Sequence, residues 1–235
     1  ASSLADIDND GHLDLLLLQD GKNILLHNND GNGTFTEIVE GVILDGEGNS
    51  VSSSWGDYDN NGFLDLFVIN IDQNNALYKN TGGIFEKIEG SVIVSNYDNM
   101  LEDCHSSSSS WGDFDNDGDS DLLISNFRNS NRLYRNNGDG TFIDVAPELG
   151  LAFVGGHEKT FGSWFFDVNN DGWLDVFTST YPLEPTVDPS ALEWFDLPSE
   201  FESARFYLND GTGHFVDQTN EYGVDRTFLT MGHNY

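Results

Sequence analysis

Apolar residues in this chain come in short runs separated by polar, glycine-rich punctuation, and the arrangement repeats. After each of four acidic stretches lies a run that is apolar at both parities: Leu13–Leu18, Leu64–Ile69, Asp121–Ile124 and Leu174–Phe177. Runs of this length predict strands, and apolar character at both parities predicts burial of both faces, as between stacked sheets. A second run carries Leu25-Leu26, Leu77-Tyr78, Leu133-Tyr134 and Phe206-Tyr207, with Asn28, Asn80, Asn136 and Asn209 two positions beyond. A glycine-rich turn then leads to Phe35, Phe85, Phe142 and Phe215, each beginning another strand. Serine- and aromatic-rich segments, Val51–Gly56, Ser106–Gly112 and Thr160–Phe166, precede the later acidic stretches. Leu4, Trp55, Trp111 and Phe165 stand two positions ahead of the first Asp, a register that predicts packing on an innermost strand. Each unit therefore reads strand A, acidic loop, strand B, variable loop, strand C, glycine turn, strand D, which is an antiparallel meander.

The first aspartates of the acidic stretches fall at 6, 57, 113 and 167, spacings of 51, 56 and 54 residues. That period matches four-stranded propeller blades rather than helical or leucine-rich repeats. The expected fold is all-β, a β-propeller of four-stranded antiparallel blades in one domain over residues 1–235, with blades at about 1–40, 50–90, 105–146 and 159–219. Residues 227–235, including Phe228–Tyr235, look like another strand A, which either closes the first blade or opens a further one. Up-and-down connectivity puts the A–B and C–D loops on one face and the B–C and D–A loops on the other. The 181–203 insertion, with Pro182, Pro185, Pro189, Pro198 and the pair Trp194-Phe195, falls in a B–C loop on the variable face, either as a cap over the blade edge, the preferred reading, or as a functional loop.

Composition changes this picture little, but charge narrows the partners. With 37% hydrophobic residues the chain has ample core, so its acidity does not signal disorder. A formal charge of −32 repels nucleic acid and anionic lipid at long range. No apolar run reaches the length of a membrane span, so direct membrane insertion is not expected, and no signal peptide is visible. The single cysteine, Cys104, excludes an intrachain disulfide; next to Asp103 and His105 it is read as structural.

The acidic stretches carry the candidate chemistry. All four follow a nine-residue pattern with carboxylates or amides at positions 1, 3, 5 and 9 around a glycine at position 6. The candidate side-chain ligands are Asp6, Asp8, Asp10 and Asp14; Asp57, Asp59, Asn61 and Asp65; Asp113, Asp115, Asp117 and Asp121; and Asp167, Asn169, Asp171 and Asp175. Position 7 would add a backbone carbonyl, from His12, Phe63, Asp119 and Trp173. Hard oxygen donors in a flexible loop point to Ca²⁺, at four sites. Position 12, where an EF-hand needs Glu, holds Leu17, Val68, Ile124 and Thr178, which excludes that motif. Asn61 and Asn169 remove one negative charge each and predict a weaker pair of sites. Asn29-Asp30-Gly31-Asn32-Gly33 and Asn137-Gly138-Asp139-Gly140 read as tight turns rather than as further metal loops.

The Asp-x-Asp-x-Asp-Gly-x-x-Asp loops between strands A and B resemble the FG-GAP/VCBS repeats of integrin-type calcium propellers. Leu133–Phe142 with Ala146–Leu151 is similar to the subfamily that carries a C-terminal ASPIC/UnbV module and includes cartilage acidic protein. In that subfamily the pattern at Met231–Tyr235 runs into another Asp loop, so the resemblance implies a piece of a larger propeller. It implies a calcium-stabilised binding or adhesion scaffold, extracellular, on the cell surface or periplasmic, that engages a protein or glycan through its B–C/D–A face. The alternative is the propeller of a secreted carbohydrate-active or lipid-cleaving enzyme, with Gly155-Gly156-His157-Glu158-Lys159 as its one handle. No nucleophile or acid/base motif stands out from the loops, so catalysis is not expected.

Overall fold

The computed structural model describes residues 1–45, 48–71, 73–94, 105–127, 129–151, 160–180 and 204–224. Four sheets of four strands each follow one another along the chain. The first comprises β1 (Ser2–Ala5), β2 (Asp14–Leu17), β3 (Ile24–Asn28) and β4 (Phe35–Ile38), and the second β5 (Ser50–Gly56), β6 (Asp65–Asn70), β7 (Ala76–Asn80) and β8 (Phe85–Ile88). The third holds β9 (His105–Gly112), β10 (Asp121–Phe127), β11 (Arg132–Asn136) and β12 (Phe142–Asp144), and the fourth β13 (Thr160–Phe166), β14 (Asp175–Thr180), β15 (Arg205–Asn209) and β16 (Phe215–Asp217). Every sheet is an antiparallel meander in sequence order, the architecture of four β-propeller blades. The 181–203 insertion, the 227–235 segment, Cys104 and His157 lie outside the described residues.

The apolar runs become the second strand of each blade, and the sandwiching they predict is present. β6 is buried along its whole length, and β10 in all but its last residue. The core is a set of inter-blade layers. Leu16, Leu25, Leu66, Val68 and Tyr78 pack between the first and second blades; Phe67, Leu77, Leu122, Ile124 and Tyr134 between the second and third; Leu123, Leu133, Val176 and Tyr207 between the third and fourth. Full burial of a Leu or Phe contributes about 1.5–3 kcal/mol, so these layers supply the main attraction between blades.

Three short helical turns follow fourth strands and were not legible in the strand periodicity. Two are 3₁₀ turns, Val42–Asp45 and Val92–Val94, which bury Ile43, Leu44, Ile93 and Val94 in the layers. The third, α1 (Ala146–Leu149), ends at Gly150, whose φ of 78° is the left-handed conformation of a helix C-terminus.

The innermost-strand expectation holds for three of its four residues. Trp55, Trp111 and Phe165 join the apolar layers, whereas Leu4 is 56% exposed. Each aromatic is seated on the strand A of the preceding blade: a Cβ on Gly56 would stand 2.5 Å from Trp111, and one on Gly112 2.9 Å from Phe165. Leu4 belongs to the first blade, whose corresponding face has no described blade before it. Phe35 and Leu13 on the same blade are 42% and 54% exposed for the same reason.

Serines of the innermost strands join the blades. Ser3 Oγ lies 2.9 Å from Ser53 Oγ, Ser54 Oγ 2.7 Å from Ser109 Oγ, and Ser107 Oγ donates to Thr160 O at 2.8 Å. Trp55 Nε1 donates to Ser3 Oγ at 2.9 Å. Small hydroxylated side chains let the strands approach closely while satisfying one another's polar groups.

Candidate functional site: the acidic loops

Strand pairing closes each acidic loop at its neck. Ala5 pairs with Asp14, Gly56 with Asp65, Gly112 with Asp121 and Phe166 with Asp175, so position 9 stands opposite the residue just before position 1. Inside the neck the chain folds identically four times. The position-1 carboxylate accepts from the backbone N–H groups of positions 5 and 6: Asp6 from Asp10 and Gly11 (3.1 and 2.9 Å), Asp57 from Asn61 and Gly62 (3.0 and 2.8 Å), Asp113 from Asp117 and Gly118 (3.1 and 3.0 Å), Asp167 from Asp171 and Gly172 (3.1 and 2.9 Å). Gly11, Gly62, Gly118 and Gly172 have φ of 88–96°, a conformation costly for any side chain, which accounts for the glycine.

Position 9 is the buried anchor. Asp14, Asp65, Asp121 and Asp175 are all at most 1% exposed. One oxygen of each accepts from the N–H of position 2, in Ile7, Tyr58, Phe114 and Val168, at 3.0–3.1 Å. The other accepts from the strand C asparagine N–H, in Asn28, Asn80, Asn136 and Asn209, at 2.7–2.9 Å. Burial, reinforced by neighbouring carboxylates, outweighs these bonds. It pushes Asp65 up to about 6, Asp121 up to about 8, and Asp175 upward.

Three loops bring their acids together within 4.8 Å: Asp6, Asp8 and Asp14; Asp57, Asp59 and Asp65; Asp113, Asp115 and Asp121. Asp59 Oδ1 and Asp115 Oδ1 are buried without a hydrogen-bond donor. A buried carboxylate oxygen left unmet among other carboxylates fits a hard divalent cation. The fourth loop differs. Asn169 takes up the acid's position 3, accepts from Asp171 N at 3.0 Å and donates to Asp171 Oδ2 at 2.9 Å, so its amide supplies internally part of what a cation would. In the second loop Asn61 instead donates outward to Asn80 O at 3.0 Å. The two Asn substitutions, equivalent by charge, are therefore not equivalent by structure. Position 7 turns its side chain over its own blade's C–D turn: Cβ atoms on Gly31, Gly82, Gly138 and Gly211 would meet His12, Phe63, Asp119 and Trp173 at 2.5–3.5 Å. The acidic loops and C–D turns thus share one face, as up-and-down connectivity requires.

Three groups of residues around the loops were not assigned a role from sequence. The first is position 4, Asn in all four loops, in the left-handed conformation at φ 56–60°. Asn9, Asn60 and Asn116 each donate to the position-6 carbonyl of the next loop, Gly62, Gly118 and Gly172, at 2.7–3.2 Å. The second is the strand C asparagine. Asn80, Asn136 and Asn209 donate to the position-2 carbonyl of the preceding blade, Ile7, Tyr58 and Phe114, at 2.7–2.8 Å. Repetition of Asn at these two registers was the available signal. The third is the residue just before that asparagine. His27 Nε2 lies 3.0 Å from Asp8 Oδ2 and Lys79 Nζ is ion-paired with Asp59; burial and the charges of Asp117 and Asp113 raise Asp115, which the Arg135 charge offsets only in part. In the fourth blade the position holds Leu208, and its loop carries Asn169 where the others carry Asp. Burial pulls the His27 imidazolium down, but the hydrogen bond to Asn29 and the charges of Asp14 and Asp8 outweigh it and leave the group raised.

The opposite face is built from amides. Asn23 Nδ2 donates to Ser50 Oγ at 3.3 Å, and Ser50 Oγ to Asn70 Oδ1 at 2.8 Å. One blade further on, Asn75 Nδ2 donates to Ser106 Oγ at 3.1 Å, and Ser106 Oγ to Asn126 Oδ1 at 2.9 Å. These chains staple the blades at the end remote from the acidic loops. Beside the first lies a cleft of about 450 Å³ that includes Asn23, Gln73, Asn74, Tyr78, Lys87 and Glu89 in its lining.

A β-propeller whose blades each carry an aspartate loop between their first two strands defines a class of repeat protein. Residues 6–68 and 113–178 match the model of the FG-GAP-like repeat, and the chain belongs to that family. Among solved structures, it is similar to an Agrocybe aegerita lectin described as recognising non-reducing terminal N-acetylglucosamine, at 20% identity and a TM-score of 0.53 over 91% of this chain. The chain spans 49% of that lectin's length. It is also similar to BBS1N from a complex with ARL6DN, at 11% identity and a TM-score of 0.51, covering 92% of this chain and 66% of that one. At these identities the likeness is one of fold. No curated protein sequence matches the chain significantly. None of the helices among the described residues is long and apolar enough to cross a membrane.

Proposed function

We propose that the chain is a calcium-stabilised binding scaffold, working outside the cell, on its surface or in the periplasm, whose B–C/D–A face recognises a glycan or protein. The cleft between the first two blades carries this reading. Its lining sets the side chains of Asn23, Gln73, Asn74, Lys87 and Glu89 beside apolar Val42, Ala76, Ile88 and Val94, donors and acceptors in both senses next to an apolar floor, the chemistry that meets a sugar ring and its hydroxyls. A lectin on the same fold is consistent with it. The loops would hold Ca²⁺ through positions 1, 3 and 5, the position-7 carbonyl and position 9, and so lock the neck of each blade. Extracellular modules of this kind bind at about 10⁻⁴–10⁻³ M, suited to a calcium-rich medium.

Within the family, the Leu133–Phe142 and Ala146–Leu151 motifs support kinship with the ASPIC/UnbV-bearing subfamily. We read the chain as non-catalytic, because its acidic groups serve the blade necks. A glycan array, run in Ca²⁺ and in EDTA, tests the whole reading. Retention of defined glycans, lost on Gln73→Ala or Asn74→Ala with the fold intact, supports it; turnover of a bound polysaccharide or lipid would replace it with the enzyme reading.

A further inference from the structure

We infer that the first acidic loop, with His27, forms a mixed nitrogen–oxygen site that takes a first-row transition-metal cation such as Zn²⁺ or Co²⁺ in preference to Ca²⁺. The inference rests on the reading that these loops hold divalent ions, and it separates the first loop from the others.

The geometry converges on one point. His27 Nε2 lies 3.0 Å from Asp8 Oδ2, 4.0 Å from Asp10 Oδ2 and 3.9 Å from Asp14 Oδ1. Ligand atoms of Asp8, Asp10 and His27 all lie within 4.8 Å of one another, and Asp6, Asp8 and Asp14 form an overlapping group. A cation about 2.0–2.2 Å from each donor sets neighbouring donors roughly 3.0–3.4 Å apart and opposite ones about 4 Å apart, so these separations need little adjustment.

The surroundings of Nδ1 suit the tautomer that such a site requires. Asn29 Nδ2 donates to Thr36 Oγ1 at 2.8 Å and to Thr34 O at 3.3 Å, which turns Asn29 Oδ1 toward His27. His27 Nδ1 lies 3.3 Å from that oxygen, and the tautomer protonated at Nδ1 would donate to it. A histidine oriented through one nitrogen by a second residue presents the lone pair of the other, the usual arrangement of a ligating imidazole. In that tautomer the Nε2 lone pair faces three carboxylates, a repulsion that a proton or a metal cation between them relieves.

The other blades show why the site is particular to the first. Lys79 and Arg135 occupy the register of His27 in the second and third blades. Neither cationic side chain offers a free lone pair, so neither can ligate; Lys79 instead forms an ion pair with Asp59. The fourth blade has Leu208 there. Imidazole suits Zn²⁺, Co²⁺ and Ni²⁺, whereas Ca²⁺ takes oxygen donors almost entirely.

The test is titration of the whole chain and of His27→Ala and His27→Lys with ZnCl₂ and CoCl₂ in millimolar Ca²⁺, followed by calorimetry and by the visible Co²⁺ spectrum, with Ca²⁺ uptake measured in parallel. Expected is one equivalent of Zn²⁺ or Co²⁺ bound above the Ca²⁺ background. Both variants should lose it by about 10–100-fold in affinity while Ca²⁺ uptake at the remaining loops is unchanged. Zn²⁺ affinity equal in wild type and both variants overturns the inference, as does Ca²⁺ binding without any Zn²⁺ binding. Zn²⁺ binding through His27 with no Ca²⁺ uptake anywhere would leave this inference standing and defeat the calcium-scaffold reading; absence of both defeats both.

Discussion

Replacement of Asp121 by Asn separates the structural work of a position-9 carboxylate from its work as an ion ligand. Asp121 is fully buried and accepts from Asn136 N at 2.8 Å and from Phe114 N at 3.1 Å. An Asn side chain retains one acceptor and turns an NH₂ against the other N–H, leaving a buried donor unmet at a cost of about 1–3 kcal/mol. That cost applies with or without an ion. Burial holds the Asp121 carboxyl near 8 without a cation, so at pH 7 the ion-free protein already carries it largely protonated and loses little by losing the charge. With Ca²⁺ at ten times its Kd, the substitution also removes the linkage stabilisation of one site, about 1.4 kcal/mol. At roughly 2–4 °C per kcal/mol for a chain of this size, Tm should fall by about 2–12 °C in EDTA and by a further ~3–6 °C in Ca²⁺. Thermal melts of wild type and Asp121→Asn in both buffers measure the difference of differences. Equal drops in the two buffers would show that the third loop stabilises the fold without holding an ion.

The other predictions concern pH and the joints between blades. Because the Asp65 and Asp121 carboxyls are raised in the folded state, the folded ion-free protein holds protons the unfolded chain releases near 3.8. Their contribution is therefore full below that value and is lost as pH rises through about 6 and about 8. Melts in EDTA should fall from pH 5 to pH 8.5 while melts in Ca²⁺ stay flatter; parallel curves would remove the link between the carboxyls and the cation. Asn136→Ala removes a bond to Tyr58 O at 2.7 Å and one to Ser120 O at 3.1 Å inside the core, and should cost about 2–4 kcal/mol by urea unfolding. Asn9→Gly, tolerated at the left-handed φ of 60°, removes one exposed bond to Gly62 O and should cost under about 1 kcal/mol; a similar loss for both would contradict the ranking by burial. Gly112→Ala places a methyl 2.7 Å from Leu174 and 2.9 Å from Phe165, and should lower stability by about 1–3 kcal/mol in a denaturant midpoint measurement.

Much of a single blade was legible from residue order. Strand lengths, the meander, the turns at Gly31, Gly33, Gly138 and Gly140, and the position-1 aspartates that bond their own loop all involve neighbours close in the chain. Pattern and turn chemistry specify them locally. Charge counting treats Asn61 and Asn169 alike and cannot show that one amide bonds outward and the other across its own loop. Leu4 looked equivalent to Trp55, Trp111 and Phe165 because register alone does not say which blade covers which.

The residues themselves, then, determined the repeat, the sheet class and the acidic necks, since those follow from spacing within about ten positions. Only the tertiary structure decided how blades meet and what surrounds each neck. Asn80 reaches Ile7 across 73 positions, Asn136 reaches Tyr58 across 78, and Asn209 reaches Phe114 across 95. His27 meets Asp8 only because a strand folds back beside the loop. Such partners are chosen by packing and twist, which bring chemically ordinary residues to one point, and no periodicity along the chain encodes that choice.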